Sequence, residues 1–575
     1  MTEAMSAARD RTLHWPDPDR MPEQPRAALL GPGGPFEMRE EDVLGAPLEV
    51  FVRRAPSLRE LLVGASARFG ERPYLVFPDR EYSYASVIGP VASAAAFLRD
   101  RYGVGKGDRV AIAAANCPGW PLAFWAATSL GAITVAMNGW WTAPELAYGL
   151  ELTTPTVLLG DTRRLARLEG LDPGIPVVDF ERDLAEIEGY APGIDLPDTP
   201  IAEDDPFLIL FTSGTTGRPK GALLSHRSNI HFIQAALLNG AAGLALRGEL
   251  GKVAGSPPCV ISASPLFHVS GLNCQLVMAA ATGMTIVYPS VGRWDEEEHL
   301  RLTERHRATS WSLVPTQLWR VLQRPDLDRY DLSSLVQVGG GSSVWPPALL
   351  DTLERKLPGV RPGLGTGYGM TETNGLGTSL RNPLTYQFPD SIGQAYPATE
   401  VRICDPADGT PLAEGEVGEI WIRSAATFLG YWNNPGATAE ALTPDRWYRT
   451  GDFGHARDSL VYLEGRRQDL IIRGGENIYP AEIESRLAEH PDIAEAAVIG
   501  VAHPTLGHEV KAVVVLRAGA VLGPGDIRAW TEQALATYKV PTHVEIVDSL
   551  PHNATGKVMK HLLEAPEAGS GFVEE

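Results

Sequence analysis

Short apolar segments alternate with helix-length segments over most of the chain, and this alternation constrains the fold more than any other feature. The apolar segments are RVAIAAA, ITVAM, TVLLG, FLILF, VISASP, TIVYP, TSWSLVP and LVQVGGG. Helical patterns such as SLRELLVGASARFG lie between them. Strands that are separated by helices usually form parallel sheets with helices packed on their faces. The sequence therefore predicts an α/β fold of layered sheets and helices.

The two flanks of this region differ from it in composition. Residues 1–45 are rich in Pro, Gly and charge, which predicts an irregular N-terminal arm. From about residue 395 the segments EVRICD, GEIWIRS and GHARDSLVYLEGR are typical of short strands and turns, with a hairpin tip at residues 457–459. We expect a large N-terminal domain over 46–465, in which 395–465 form a β-rich subdomain.

The chain beyond Arg466 has a third sequence pattern, in which helical and strand segments are mixed. YPAEIESRLAEH predicts a helix, AAVIGV and AVVVL predict strands, and DIRAWTEQALATY predicts a second helix. The residues expected on one face of that second helix are Ile527, Trp530, Leu535 and Tyr538. We expect a hinge at 466–469 and a small, mobile α+β C-terminal lid at 470–575.

Composition excludes several classes of function. The 575 residues carry a formal net charge of -21, which disfavours a general binder of nucleic acid or of anionic membranes. The four cysteines are far apart and predict neither a zinc site nor a disulfide framework. The longest apolar segment, 121–137, is short for a bilayer span and predicts a buried helix leading into a strand. The N-terminus lacks the pattern of a secretory signal, so we expect a cytoplasmic protein without a transmembrane segment.

The loop TSGTTGRPKG follows the apolar segment FLILF and has the composition of a phosphate site. Its glycines let backbone N–H groups converge on an anion, its hydroxyls add donors, and its lysine adds charge. Its spacing does not match the P-loop of kinases and GTPases. The candidate phosphate-binding residues are Thr212, Ser213, Gly214, Thr215, Thr216, Gly217 and Lys220.

This string resembles the phosphate loop of the adenylate-forming superfamily, which includes acyl-CoA synthetases, the adenylation domains of peptide synthetases and firefly-type luciferases. GYGMTET, at 367–373, resembles the motif whose aromatic ring stacks near adenine and whose glutamate holds Mg²⁺. The resemblance gives the ring role to Tyr368 and the metal role to Glu372 with Thr212. It also includes Gly369, Met370 and Thr371 in the nucleotide site.

Three further motifs extend the resemblance in the same order. GGGSS resembles the adenine-side loop and contributes Gly339, Gly340 and Gly341. WYRTGD resembles the segment whose aspartate, here Asp452, accepts hydrogen bonds from both ribose hydroxyls. Arg466 matches the arginine that contacts ribose and phosphate.

The acid and thiol sites are implied by two other segments. PLFHVSG resembles the lining of the acyl pocket and gives a gating role to His268, although a lone histidine is more often a core residue. Glycines at 271, 340, 375 and 377 suggest room for a long or polycyclic acid, and we assign Gly271 and Gly375 to the acyl site. RGGENIYPAEIE resembles the border of the pantetheine tunnel, with Arg473, Gly474, Gly475 and Glu476.

LPHNATGKVMK carries Lys557, which matches the C-terminal lysine that bridges the carboxylate and the α-phosphate. In isolation an exposed tail lysine would be the simpler interpretation. Relatives rotate the lid about a residue two places after the motif arginine. That residue is Gln468 here, where relatives usually have Asp or Lys.

The resemblance implies an ATP-dependent acyl-CoA synthetase that activates a bulky apolar carboxylic acid through an acyl-AMP, with Mg²⁺ and with CoA as acceptor. No carboxylate stands where amino-acid adenylation domains hold the substrate ammonium, so an amino acid is disfavoured. Two alternatives stay open: a ligase that transfers the acyl group to a carrier-protein phosphopantetheine, and a member that keeps one half-reaction. A homodimer is also left open.

Overall fold

The computed structural model of the protein describes residues 11–170, 172–212, 219–251, 257–292, 294–340, 345, 347–375, 377–466, 469–473, 476–503, 506–552 and 558–563. The strands are β1 (Met38–Val43), β2 (Ala46–Phe51), β3 (Pro73–Val76), β4 (Glu81–Ser83), β5 (Arg109–Ala113), β6 (Ile133–Ala136), β7 (Val157–Gly160), β8 (Val177–Asp179), β9 (Pro206–Thr212), β10 (Lys220–Ser225), β11 (Cys259–Ile261), β12 (Thr285–Val287), β13 (Ser310–Ser312), β14 (Gln337–Gly340), β15 (Gly365–Tyr368), β16 (Thr378–Arg381), β17 (Ser391–Ala395), β18 (Thr399–Cys404), β19 (Gly418–Ser424), β20 (Gly430–Tyr431), β21 (Tyr448–Arg457), β22 (Leu460–Arg466), β23 (Ile471–Arg473), β24 (Glu476–Ile478), β25 (Ile493–His503), β26 (Gly507–Leu516) and β27 (His543–Val547).

The α-helices are α1 (Asp17–Arg20), α2 (Glu23–Leu30), α3 (Leu58–Phe69), α4 (Ile88–Tyr102), α5 (Gly119–Ser129), α6 (Ala143–Thr153), α7 (Thr162–Leu165), α8 (Phe180–Gly189), α9 (His226–Leu246), α10 (Val269–Gly271), α11 (Met278–Thr282), α12 (Glu296–His306), α13 (Pro315–Gln323), α14 (Pro347–Lys356), α15 (Leu384–Gln387), α16 (Pro435–Ala441), α17 (Pro480–Ala488) and α18 (Pro524–Glu532). A π-helix over Leu272–Val277 joins α10 to α11. Short 3₁₀ turns cover Ala166–Leu168, Leu327–Arg329, Pro358–Gly363, Thr371–Thr373, Thr537–Lys539 and Lys560–Leu562. Among the described residues, no helix combines the length and the apolar character needed to cross a bilayer.

Two large sheets dominate the molecule. The first has the order β20-β10-β9-β6-β5-β7-β8, and its strands from β9 to β8 run parallel. The second has the order β18-β19-β21-β22-β17-β16-β15-β14-β13-β11-β12-β3-β4, with a parallel centre from β15 to β3. This mixed architecture of sheets and helices confirms the predicted fold class.

The largest core cluster lies around α4 and α5 and takes side chains from both large sheets. Helix α5 is buried along its whole length and includes Trp120, Phe124 and Trp125. Strand β6 follows it and is also buried. The prediction that residues 121–137 form a buried helix followed by a strand is therefore confirmed.

The N-terminal arm is more ordered than the sequence predicts. Its described part contains α1, α2 and the antiparallel pair of β1 with β2, so the prediction of an irregular arm is wrong. Pro16 and Pro22 stand at the N-caps of the two helices, where a missing N–H costs nothing. Asp17 is buried and forms an ion pair with Arg381 on β16, which fastens the arm to the second sheet.

The region predicted as a β-rich subdomain consists mainly of strands, as expected. Strands β17, β18, β19, β21 and β22 continue the second large sheet, and β20 instead joins the first. Asp458 and Ser459 have positive φ angles of 53° and 63° between β21 and β22. This left-handed pair confirms the predicted hairpin tip.

The C-terminal part forms a separate sheet of five strands, β24-β23-β26-β25 with β27 paired to β26. Helix α18 ends at Glu532, so the prediction that it carries Leu535 and Tyr538 is wrong. The Thr531 hydroxyl donates to the Arg528 carbonyl at 2.8 Å, a side-chain bond that competes with helix continuation. Leu535 and Tyr538 still pack on the core of this C-terminal part, from beyond the helix end.

Candidate functional site

The β9–β10 hairpin carries the predicted phosphate residues that the structure describes. Thr212 ends β9, Lys220 begins β10, and the two are register partners. The Thr212 hydroxyl donates to the Lys220 carbonyl at 3.4 Å. The hairpin therefore brings one hydroxyl and one ammonium group to the same end of the first large sheet.

Tyr431 links this hairpin to Glu372. Strand β20 pairs with β10, and the Lys220 Nζ atom lies 5.1 Å from the centre of the Tyr431 ring. The Tyr431 hydroxyl donates to Oε1 of Glu372 at 2.8 Å. Burial, and then the charge of Glu372, raise the pKa of Tyr431 well above its ordinary value, so the phenol keeps its proton. Sequence analysis missed Tyr431, since nothing in the local sequence GYW points to a glutamate so distant along the chain.

Glu372 is only 6% exposed and lies in the 3₁₀ turn over Thr371–Thr373. Asn374 follows the turn with a φ of 58°, a left-handed conformation that asparagine tolerates better than most residues. Its Nδ2 donates to the Ala426 carbonyl at 2.7 Å. Its Oδ1 accepts from Asn229 at 3.2 Å and from Asn273 at 3.1 Å. Asn374 thus fixes the turn that carries Glu372, a role that sequence analysis did not predict.

Tyr368 and Asp452 are in direct contact. The Tyr368 hydroxyl donates to Oδ2 of Asp452 at 2.7 Å, and Asp452 is 4% exposed. The neighbouring Gly451 has a φ of 72°, and its N–H donates to Oε1 of Glu419 at 3.0 Å. In the β21–β22 pair, Asp452 lies opposite Arg466. The structure therefore brings the predicted adenine and ribose residues together and adds Glu419 as a support that the sequence did not reveal.

A single cavity of about 2230 Å³ joins these residues to a second group beside α9. At one end it is lined by Thr212, Lys220, Gly339, Gly340, Gly369, Met370, Thr371, Glu372 and Asp452. Beyond them it is lined by Phe232, Leu237, Val260, His268, Val269, Cys274, Gln275, Met278 and Gly375. The site thus combines a polar, charged end with a mostly apolar end, which is typical of a pocket for a small organic ligand.

His268 is the N-cap of α10 and packs against the Phe267 ring, with ring centres 4.8 Å apart. Burial lowers its pKa to about 4, so the imidazole is neutral near pH 7. Among the described residues, its Nε2 atom has no hydrogen-bond partner. His268 is therefore a neutral side chain at the wall of the cavity, not a cation.

The glycines predicted to make room for the acid behave differently from one another. A Cβ atom on Gly271 would lie 2.2 Å from the Pro265 carbonyl oxygen, and one on Gly377 would lie 2.5 Å from Ile422. Neither glycine is among the described residues that line the cavity. Both glycines allow close packing against these groups, and their role in the acyl pocket stays a prediction. Gly340 and Gly375 do line the cavity.

Arg473 makes a hydrogen bond within the C-terminal part of the chain. Its guanidinium donates to the Tyr538 carbonyl at 3.1 Å. Several predicted residues lie outside the described part of the chain: Ser213, Gly214, Thr215, Thr216, Gly217, Gly341, Gln468, Gly474, Gly475 and Lys557. The side chains of Arg466 and Glu476 also lie outside it, so their predicted roles stay predictions.

Comparison with known families and proteins gives a consistent result. The family model of the AMP-binding enzyme matches residues 63–432, and that of the AMP-binding enzyme C-terminal domain matches 482–557. The chain is 34% identical to an indoleacetate–CoA ligase of Aromatoleum aromaticum, over 87% of this chain and 96% of that protein. It is 30% identical to a long-chain-fatty-acid–CoA ligase of Bacillus subtilis, over 90% of this chain and 96% of that protein.

Solved structures agree with these sequence matches. ATP-bound MatB from Rhodopseudomonas palustris superposes with a TM-score of 0.77 at 29% identity, covering 88% of this chain and 98% of that one. The o-succinylbenzoate CoA synthetase of Bacillus subtilis, in complex with an acyl-adenylate intermediate, gives a TM-score of 0.76 at 28% identity, covering 90% and 100%.

Proposed function

Because the chain belongs to the AMP-binding enzyme family and is an AMP-forming acid–thiol ligase, we propose that it activates a bulky, largely apolar carboxylic acid and transfers the acyl group to CoA. The observation that carries this proposal is the continuity of the cavity from Lys220 and Glu372 to Met278. A carboxylate at the junction of its two ends would have its hydrocarbon part in the apolar end and a nucleotide in the polar end.

The apolar end favours a large acid without a second charge near its carboxylate. Phe232, Leu237, Val269 and Met278 contribute hydrocarbon or thioether surface to it. No carboxylate that could hold an ammonium group is present among the described cavity residues of α9, α10 and the π-helix. Burying the hydrocarbon of such an acid contributes about 25 cal/mol for each Å² removed from water, so size raises affinity.

The polar end suits ATP. Lys220 supplies a positive charge for phosphate oxygens, and Asp452 supplies carboxylate oxygens for ribose hydroxyls. Glu372 and Thr212 offer the hard oxygen ligands that Mg²⁺ prefers, and Mg²⁺ commonly takes few protein ligands when phosphates complete its shell. A bound Mg²⁺ would lower the repulsion between the anionic acid and the triphosphate.

The reaction on this proposal has two steps. A carboxylate oxygen attacks the α-phosphorus of ATP, pyrophosphate leaves, and the CoA thiol then displaces AMP from the acyl-AMP. Lys220 would hold phosphate oxygens during the first step. Lys557 would stabilise the negative charge that develops where the carboxylate meets the α-phosphate.

A panel of carboxylic acids with two separate measurements tests this function. Acid-dependent release of pyrophosphate reports the first step, and formation of acyl-CoA reports the second. We expect both with long-chain, aryl or polycyclic acids and neither with small polar acids. Release of pyrophosphate together with acyl transfer to a loaded carrier protein, but not to CoA, would refute the acceptor that we propose.

Lys557→Ala tests the role of the C-terminal lysine. We expect pyrophosphate release to fall at least about a hundredfold, since removal of one transition-state donor commonly costs that much. Lys560→Ala is the matched control: its ammonium group pairs with Glu484 at 2.7 Å, a partly exposed ion pair of little energetic value. Equal rates in the two variants would exclude the proposed role of Lys557.

A further inference from the structure

Gln275 is a buried polar side chain on the wall of the apolar end of the cavity. It lies in the π-helix between α10 and α11 and is only 3% exposed. Among the described residues, neither its amide oxygen nor its amide nitrogen has a hydrogen-bond partner. Single-turn π-helices occur frequently at functional sites.

Three other polar side chains in or beside the cavity wall make hydrogen bonds within the protein. The Thr282 hydroxyl donates to the Met278 carbonyl at 3.0 Å. The Asn239 amide donates to the Ser379 hydroxyl at 3.2 Å. Asn273, two residues before Gln275, donates to Asn374 at 3.1 Å. Gln275 therefore has a donor and an acceptor that no described group of the protein satisfies.

The neighbours of Gln275 make an unpaired amide costly. Cys274 and Met278 line the same wall, and Phe232 lines the cavity from α9. Burial raises the pKa of the Cys274 thiol to about 12, which reflects how apolar this part of the site is. A purely hydrocarbon ligand would leave both polar atoms of the amide unsatisfied.

We propose that Gln275 selects acids that carry a hydrogen-bonding group, such as a keto, hydroxyl or ring N–H group, within their otherwise apolar part. The inference rests on the proposed function and narrows it from apolar acids to acids with one internal polar group. Gln275 stands seven residues after His268, which begins the same helical segment, so the two lie roughly 10 Å apart along it. The polar group is therefore expected well inside the acid, away from its carboxylate.

A glutamine with a purely structural role is the competing interpretation. Such a glutamine would bond to neighbouring backbone or side-chain groups, as Asn273 and Asn374 do. Gln275 has no such bond within the described residues. Gln275 is among the residues that line the cavity.

The test uses the full chain and a series of decanoic acids with one keto group at successive carbons, with decanoic acid as the reference. An aryl-alkanoic acid with and without a ring hydroxyl forms a second pair. Acid-dependent pyrophosphate release gives kcat/KM for each acid. We expect one internal keto position, or the hydroxylated aryl acid, to exceed its reference by about tenfold or more, because a site that offers hydrogen bonds rejects the analogue without them.

Gln275→Met removes the amide and keeps a side chain of similar length. In this variant we expect the ratio of kcat/KM for the polar acid to kcat/KM for the unsubstituted acid to fall to about three or less. The value for the unsubstituted acid should rise. Met278→Leu is the matched control on the same wall and should change both members of a pair by similar factors, because this exchange nearly conserves volume and polarity.

The outcomes separate this inference from the proposed function. Wild-type protein that releases pyrophosphate equally well with polar and unsubstituted acids would overturn the inference and leave the proposed function intact. An unchanged ratio in Gln275→Met would overturn it as well, and ATP binding by that variant reports whether it has folded. Absence of release with every acid would overturn the proposed function and the inference with it.

Discussion

Replacing Asn374 by alanine is expected to be the most destabilising polar substitution near the site. The change removes the donor to the Ala426 carbonyl and the acceptor shared by Asn229 and Asn273. The Ala426 carbonyl and the Asn229 amide then lose this partner, at about 1–3 kcal/mol each, and the Asn273 amide keeps only a long bond of 3.5 Å to the Asn374 carbonyl. Alanine also adopts the left-handed φ of 58° less readily than asparagine, which adds about 1 kcal/mol. Allowing for relaxation and non-additivity, we expect a loss of about 4 kcal/mol.

Two further variants separate the contributions. Asn374→Gly loses the same hydrogen bonds but tolerates the backbone conformation, so it should be about 1 kcal/mol more stable than Asn374→Ala. Asn433→Ala is the matched control, since Asn433 has a φ of 50° but is exposed and makes only a long bond of 3.4 Å to Leu152. Its loss should stay within about 1 kcal/mol.

The assay is urea unfolding followed by tryptophan fluorescence and by circular dichroism, with pyrophosphate release measured in parallel. Agreement of the two optical probes checks that one cooperative transition is being compared. Asn374→Ala should also slow pyrophosphate release, because the turn that carries Glu372 loses its anchor. If Asn374→Ala and Asn433→Ala lost the same stability, the hydrogen-bond argument would be refuted.

Two further predictions concern stability. His231 is buried against Phe51, and burial lowers its pKa to about 3 from an ordinary value of 6.5. Because the histidine of the unfolded chain takes up a proton at a higher pH than that of the folded chain, the free energy of unfolding falls as the pH drops from 6.5 toward 3. The free energy of unfolding that the protein loses between pH 7.5 and pH 5 should be about 2 kcal/mol smaller in His231→Phe. Urea unfolding at the two pH values measures this loss, and the same loss in the variant and the wild-type protein would contradict the prediction. Gly271→Ala should lower the melting temperature, because the added Cβ atom would lie 2.2 Å from the Pro265 carbonyl oxygen. Gly64→Ala is the control: its Cβ atom would meet nothing within 4 Å, so it should raise the free energy of unfolding by about 0.5–1 kcal/mol. Equal shifts in the two glycine variants, measured by thermal unfolding, would contradict the packing role of Gly271.

The sequence predicted the elements whose cause is local. Strands β5, β6, β9 and β19 follow from short apolar segments, and their positions match within a few residues. The hairpin tip at residues 457–459 follows from polar turn residues between two apolar runs. The alternation of strands and helices was sufficient for the fold class, because parallel strands need helical crossovers.

The sequence could not predict features that depend on distant partners. Tyr431 meets Glu372 because β20 pairs with β10, a contact that no local pattern encodes. Gly271 resembles a glycine that makes room for a ligand, but its neighbour is the Pro265 carbonyl oxygen. Whether a glycine serves a ligand or a close backbone contact is decided by the surrounding fold, which composition and spacing alone do not reveal.

The position of β20 explains why the site is built from both large sheets. Lys220 belongs to the first sheet, whereas Tyr368 and Asp452 belong to the second. Glu372 follows β15 of the second sheet, and its backbone carbonyl accepts from the Phe428 N–H at 2.8 Å, just before β20. Tyr431, on β20 of the first sheet, then reaches Glu372 with its hydroxyl and Lys220 with its ring. One short strand, β20 at the edge of the first sheet, therefore links Lys220 to the Glu372 carboxylate through the Tyr431 side chain.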